Sequence, residues 1–139
     1  ISNACEVPLT AIATYRPTGK RVFRPLTITA CSFDEIRNAL EQARAKDFDM
    51  ICVLTHPFEF VVRKDDGRRP TGAQRTNQRR FRRLCEFLAA NRDRFNVTTF
   101  ADLAKRPVAP EARGDGVLRG RYTHMLARAS ANLLADRLR

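Results

Sequence analysis

The sequence lacks the motifs by which several large classes of enzyme are recognised. It contains no G-x-S-x-G, P-loop or G-x-G-x-x-G pattern, and no H-E-x-x-H or H-x-x-x-H pairing. Serine hydrolase, nucleotide-binding and dinucleotide-binding functions are therefore left without their usual signatures. The only histidines are His56 and His124, 68 residues apart. A catalytic metal needs about three protein ligands, and this chain alone supplies no convincing set.

Long apolar runs and closely spaced cysteines are also missing. No segment approaches the roughly 18 to 20 apolar residues of a membrane span, and the start of the chain lacks the layout of a secretory signal. The four cysteines form no C-x-x-C pair, which favours small buried side chains and a reduced, intracellular setting. Because structured sequence begins within a few residues of Ile1, we expect a piece of a longer protein. Any signal could then lie upstream of Ile1, so the localisation is undetermined.

Positive charge is abundant and unevenly distributed. The formal net charge is +11, and residues 63–94 hold eleven basic and four acidic side chains. Such clustering leaves two interpretations open. One is an anionic partner, either nucleic acid or an acidic polysaccharide, and the other is the solvated outer face of an arginine-rich helix.

The order of the predicted elements favours an α/β fold. Strands are predicted at 6–14, 24–29, 50–55 and 95–98, and helices at 33–46, 76–91, 99–103 and 121–138, with a polar loop at 63–72. A Ser32–Glu35 capping box and a Thr99–Asp102 cap are predicted to begin the first and third helices. An apolar stripe on the second helix includes Leu84 and Cys85, and the stripe on the last helix, which includes Tyr122 and Leu126, is expected to be buried. A helix between the second and third strands predicts parallel strands joined by a crossover. The predicted organisation is one domain over residues 1–106, a linker over 107–116 and a C-terminal amphipathic helix within 117–139.

The stretch 50–60 holds the candidate chemistry. An apolar run ends at His56, which a strand would place at its C-terminal edge, where α/β folds gather reactive side chains. An imidazole there can donate or accept a proton near neutral pH. The alternative is a structural histidine bonded to the backbone at a strand end. Glu59 follows closely and could orient the ring, contact a substrate or simply face solvent.

Four segments together resemble a known family. They are Glu6-Val-Pro-Leu-Thr, Arg24-Pro-Leu-Thr-Ile-Thr-Ala-Cys-Ser, Val53-Leu-Thr-His-Pro-Phe-Glu and Phe95-Asn-Val-Thr-Thr-Phe-Ala-Asp-Leu. Their order resembles the C-terminal half of a polysaccharide deacetylase of the NodB-homology type, carbohydrate esterase family 4, over residues 5–105. His56 matches the histidine of that family's Leu-x-x-His motif, although Val53 replaces the leucine.

The resemblance implies the C-terminal part of an irregular (β/α) barrel, with mostly parallel strands, from a hydrolase of the amide in N-acetylated sugars. In that family a divalent metal, expected to be zinc, activates water, and an aspartate acts as base. Those residues would precede Ile1, so no metal is expected in this chain alone, which should be inactive by itself. The motif histidine protonates the leaving amine, a role that falls on His56.

Further expectations concern the pocket and the partners. Leu54, Phe58 and Glu59 are expected to line the substrate pocket. The expected partner is a polysaccharide or N-acetylated oligosaccharide rather than a membrane or nucleic acid. The alternative function is a basic binding module, without catalysis, for nucleic acid or an anionic glycan.

Overall fold

The computed structural model describes residues 7–15, 18–63, 69–105 and 116–137 of the chain. Its elements are β1 (Ala11–Tyr15), β2 (Arg21–Pro25), α1 (Phe33–Ala45), a 3-10 turn (Pro57–Phe60), β3 (Val61–Arg63), β4 (Pro70–Ala73), α2 (Arg75–Ala90), α3 (Phe100–Leu103) and α4 (Tyr122–Arg137). The predicted linker at 107–116 lies outside the described residues except for Gly116.

The expectation of a parallel (β/α) barrel is wrong. Within the described ranges the strands form two small antiparallel sheets, β1 with β2 and β3 with β4. The chain between β1 and β2 is five residues long, whereas a parallel crossover needs about a dozen or more. A short connection therefore imposes an antiparallel hairpin, in which Ala13 pairs with Phe23.

The predicted central strand at 50–55 is also wrong. Its parallel pairing is reduced to one isolated bridge, in which the Leu54 N–H donates to the Leu26 carbonyl at 3.0 Å. The neighbouring chain turns immediately afterwards, because the Cys31 N–H donates back to the Thr27 carbonyl. Among the residues that the structure describes, no extended partner remains for a ladder. A second isolated parallel bridge joins Ala13 to Arg119.

Two other predicted regions differ. Residues 95–98 form no strand, and part of the predicted loop at 63–72 belongs to β4. Residues 64–68 of that loop lie outside the described residues.

Helix α1 is confirmed, including its cap. The Ser32 hydroxyl accepts from the Glu35 N–H, and the Glu35 carboxylate accepts from the Ser32 N–H, so two free donors of the first turn are satisfied. The apolar stripe of α1 is buried and forms most of the core with parts of β1, α2 and the 26–31 turn. Its members include Phe33, Ile36 and Leu40.

Helices α2, α3 and α4 are also where they were predicted. Of the stripe expected on α2, Leu84 is buried, whereas Cys85 is exposed. The expected burial of the α4 stripe is wrong for Tyr122 and Leu126, which are 58% and 54% exposed. An ion pair anchors α4 instead, since the Arg128 Nε lies 3.0 Å from the carboxylate of the buried Glu35.

Candidate functional site

The segment from Thr55 to Phe60 is shaped by its own sequence. Pro57 restricts the residue before it to an extended backbone, and His56 has φ −121° and ψ 146°. Proline also fits the first position of a helical turn, where its missing N–H is not needed. The Glu59 N–H then donates to the His56 carbonyl at 3.0 Å and closes a 3-10 turn.

Glu59 is the hub of this segment. Its carboxylate accepts from the His56 backbone N–H and from the Thr55 hydroxyl, both at 3.1 Å, and from the Thr29 hydroxyl at 3.3 Å. Thr29 in turn lies 3.1 Å from the Thr27 hydroxyl. These bonds fix the main chain next to His56.

The His56 ring is exposed and stacks on Phe58. The two ring centroids are 5.0 Å apart and the planes are inclined by 9°. Phe58 itself is 57% exposed. In the part of the chain that the structure describes, no carboxylate is hydrogen-bonded to the imidazole. The backbone that bears the ring is fixed, and the residue is exposed to solvent.

Leu54 is half-buried on the segment that leads into His56. The structure brings Leu54, His56, Phe58 and Glu59 together on one short stretch. It does not enclose them in the cavity of about 450 Å³ that lies between the β1–β2 hairpin and α4, whose lining includes Phe23 and Tyr122. His56 therefore lies on an open surface of the described structure.

Helix α2 holds this surface in place through polar side chains that sequence reasoning missed. The buried Asn77 donates to the Glu59 carbonyl at 2.8 Å, and Gln78 donates to the Phe60 carbonyl at 3.0 Å. Phe81 packs on Phe60 with ring centroids 5.3 Å apart. The helix and the histidine segment are thus joined by both hydrogen bonds and apolar contact.

Arg80 is the second missed residue. It is only 7% exposed, and its guanidinium donates to the Ile28 and Thr29 carbonyls at 3.2 and 3.3 Å. Burial lowers the pKa of Arg80, and the positive charge of Arg128 lowers it further. The position of Arg80 in the sequence could have predicted its burial, because Arg80 and the apolar Leu84 are four residues apart and share one face of the helix.

The buried Cys31 lies near the charged groups of Glu35 and Arg128. Burial raises the pKa of its thiol to about 11, and the carboxylate of Glu35 acts in the same direction. A thiol with so high a pKa stays protonated at neutral pH and is a poor nucleophile or metal ligand. This cysteine is therefore a core side chain, as the sequence pattern predicted.

The divalent metal implied by the resemblance finds no ligand set in the described residues. They contain no group of three or more His, Cys, Asp or Glu side chains that could hold an ion. At the histidine segment, the Glu59 carboxylate is already bonded to Thr29, Thr55 and the His56 N–H. These residues do not fit a metal, and no reaction step is assigned to one.

The chain was compared with known protein families, curated proteins and solved structures. No family model, curated protein or solved structure matches this chain. Among the residues described, no helix is long and apolar enough to cross a membrane.

Proposed function

We propose that this chain belongs to a polysaccharide deacetylase-like hydrolase acting on the amide of N-acetylated sugars, with His56 as general acid. The observation that supports the proposal is an exposed imidazole on a backbone segment fixed by the Glu59 carboxylate. The order of the four sequence segments that resemble the family also supports it. The proposal rests on this local geometry and does not require a barrel.

The chemistry fits the position of the ring. Amide hydrolysis expels an amine, which needs a proton as the carbon–nitrogen bond breaks. A positioned general acid contributes about 10² to 10⁴ in rate. The exposed His56 ring can deliver that proton to a substrate bound at this surface, since an imidazole can donate a proton near neutral pH. The proposal assigns this one role to the chain.

Phe58 and Glu59 have supporting roles in this proposal. The exposed Phe58 ring stacks on His56 and limits the directions in which the imidazole points. It also offers an aromatic surface against which the apolar face of a sugar ring can pack. Glu59 acts through the backbone, since its carboxylate accepts from the His56 N–H.

The test is a His56→Gln substitution in the full-length protein that contains this chain. Acetate release from a chitin oligosaccharide should show kcat lowered about 10²- to 10⁴-fold. KM should change little, because the proton is transferred in the chemical step. The matched control is His124→Gln, which alters the other histidine, on α4, and should keep the parent's turnover. Turnover of the His56→Gln protein at the parent's rate would show that His56 is not the general acid.

A further inference from the structure

The outer face of α2 carries three exposed arginines in a row. Arg75, Arg79 and Arg82 are separated by four and then three residues, which places them on one side of the helix. At a rise of about 1.5 Å per residue, the row extends over about 10 Å. We refer to Arg75, Arg79 and Arg82 as the arginine stripe.

The stripe differs from the other arginines of α2 in having no partner among the described residues. Arg83 lies 3.7 Å from Asp34 and 4.3 Å from the centre of the Phe33 ring. Arg80 is buried and donates to backbone carbonyls. No described acceptor or carboxylate engages the three stripe guanidinium groups.

Like charges at this spacing destabilise a helix, because they repel along its surface. An anionic ligand would remove that repulsion by lying across all three side chains. Guanidinium groups suit carboxylates well, since each can form two parallel hydrogen bonds with one carboxylate. The charge pattern therefore fits a ligand with repeated carboxylate groups.

The stripe lies on the helix that contacts the candidate site. Asn77 and Gln78 lie in the same two turns of α2 as Arg75 and Arg79, and they donate to the carbonyls of Glu59 and Phe60. A polymer bound along the stripe would thus be held by the helix that anchors the histidine segment.

We propose that the arginine stripe binds the carboxylates of an acidic, N-acetylated polysaccharide, which is the substrate class of the His56 site. This assignment of substrate rests on the proposed function. The sugar class follows from the proposed function, and nucleic acid is the alternative polyanion that the oligo-dT probe described below tests.

The experiment measures binding by the intact chain with three probes. They are a hyaluronan oligosaccharide, in which N-acetylglucosamine alternates with glucuronate, a neutral chitin oligosaccharide and an oligo-dT strand. Hyaluronan should bind at least about 10-fold more tightly than neutral chitin, since each exposed ion pair contributes a small factor and three act together. It should also bind more tightly than oligo-dT. The stripe variant Arg75→Gln/Arg79→Gln/Arg82→Gln should bind hyaluronan about 10- to 100-fold more weakly.

A matched control removes the same charge elsewhere. Lys20→Gln/Arg44→Gln/Arg121→Gln changes three exposed basic residues away from α2 and should keep hyaluronan binding within about 3-fold. Circular dichroism of both variants should match that of the parent. Equal binding of hyaluronan by the stripe variant and the parent would overturn the proposal, as would an equal loss in the control. Tighter binding of oligo-dT, lost in the stripe variant, would identify a nucleic-acid surface instead.

The two proposals fail in different ways. Normal turnover by the His56→Gln variant would refute the general acid and leave the binding result intact. Loss of turnover on His56→Gln with no stripe-dependent binding would refute only the acidic substrate class.

Discussion

Removing Arg128 should strongly destabilise the fold, because it leaves a buried charge without its partner. The Glu35 side chain is fully buried, and the Arg128 side chain is 14% exposed. Breaking a buried ion pair from one side typically costs about 3 to 5 kcal/mol. The lower end applies here, since Glu35 keeps its hydrogen bond from the Ser32 N–H and the positive charge of Arg80 acts on the same group.

The assay is urea unfolding of the Arg128→Met variant. With a slope of about 1.5 kcal/mol/M, a loss of about 3 kcal/mol lowers the midpoint by about 2 M. The matched control is Arg37→Met, which breaks a 3.3 Å pair with Asp34 on the surface of α1 and should cost less than about 1 kcal/mol. The double variant Glu35→Gln/Arg128→Met should recover most of the loss, because the carboxylate that lost its partner is replaced by a neutral amide. An Arg128→Met midpoint no lower than that of Arg37→Met would refute the reasoning.

Two further predictions concern packing and the thiols. Gly120→Ala should destabilise the chain by about 1 to 3 kcal/mol in urea unfolding, since the added Cβ would lie 2.9 Å from a methyl carbon of Thr14. Gly72→Ala is its control, because nothing lies within 4 Å of that Cβ, and an equal loss would contradict the steric account. At pH 8 iodoacetamide should label Cys85 and spare Cys31, whose buried thiol has a pKa raised to about 11. The difference should vanish in urea, and native labelling of Cys31 at the rate of Cys85 would show that burial does not protect it.

Local signals in the sequence predicted the helices well. The bounds of α1 follow from the Ser32–Glu35 capping box and the apolar spacing behind it, both of which act within a few residues. The Thr99 hydroxyl accepts from the Asp102 N–H, as the sequence predicted for the short helix α3. Caps depend on neighbouring residues and are therefore readable before the tertiary structure is known.

The absence of a strand at 50–55 could not be predicted in the same way. The composition of this segment suits a strand, but a strand also needs an extended neighbour with free hydrogen-bonding groups. That neighbour turns at Thr27, where the Ala30 N–H donates to the Thr27 side chain. A turn in one segment thus removed the ladder from another segment more than 20 residues away. The prediction that His56 lies at the end of a strand is therefore wrong, because His56 precedes a 3-10 turn instead. The contacts that Glu59 makes with this segment became visible only in the structure.

The charge of α2 illustrates why residue type alone is a poor guide to a surface. Counting arginines treats the helix as one basic face, yet Arg80 is buried against carbonyls and Arg83 is engaged by Asp34 and Phe33. Position on the helix decides the fate of each side chain. The inward arginine stabilises the 28–29 turn beside Thr29, whose hydroxyl bonds to Glu59. Only the outward stripe has charge available for a ligand, so the net charge of +11 overstates what this helix offers to a polyanion.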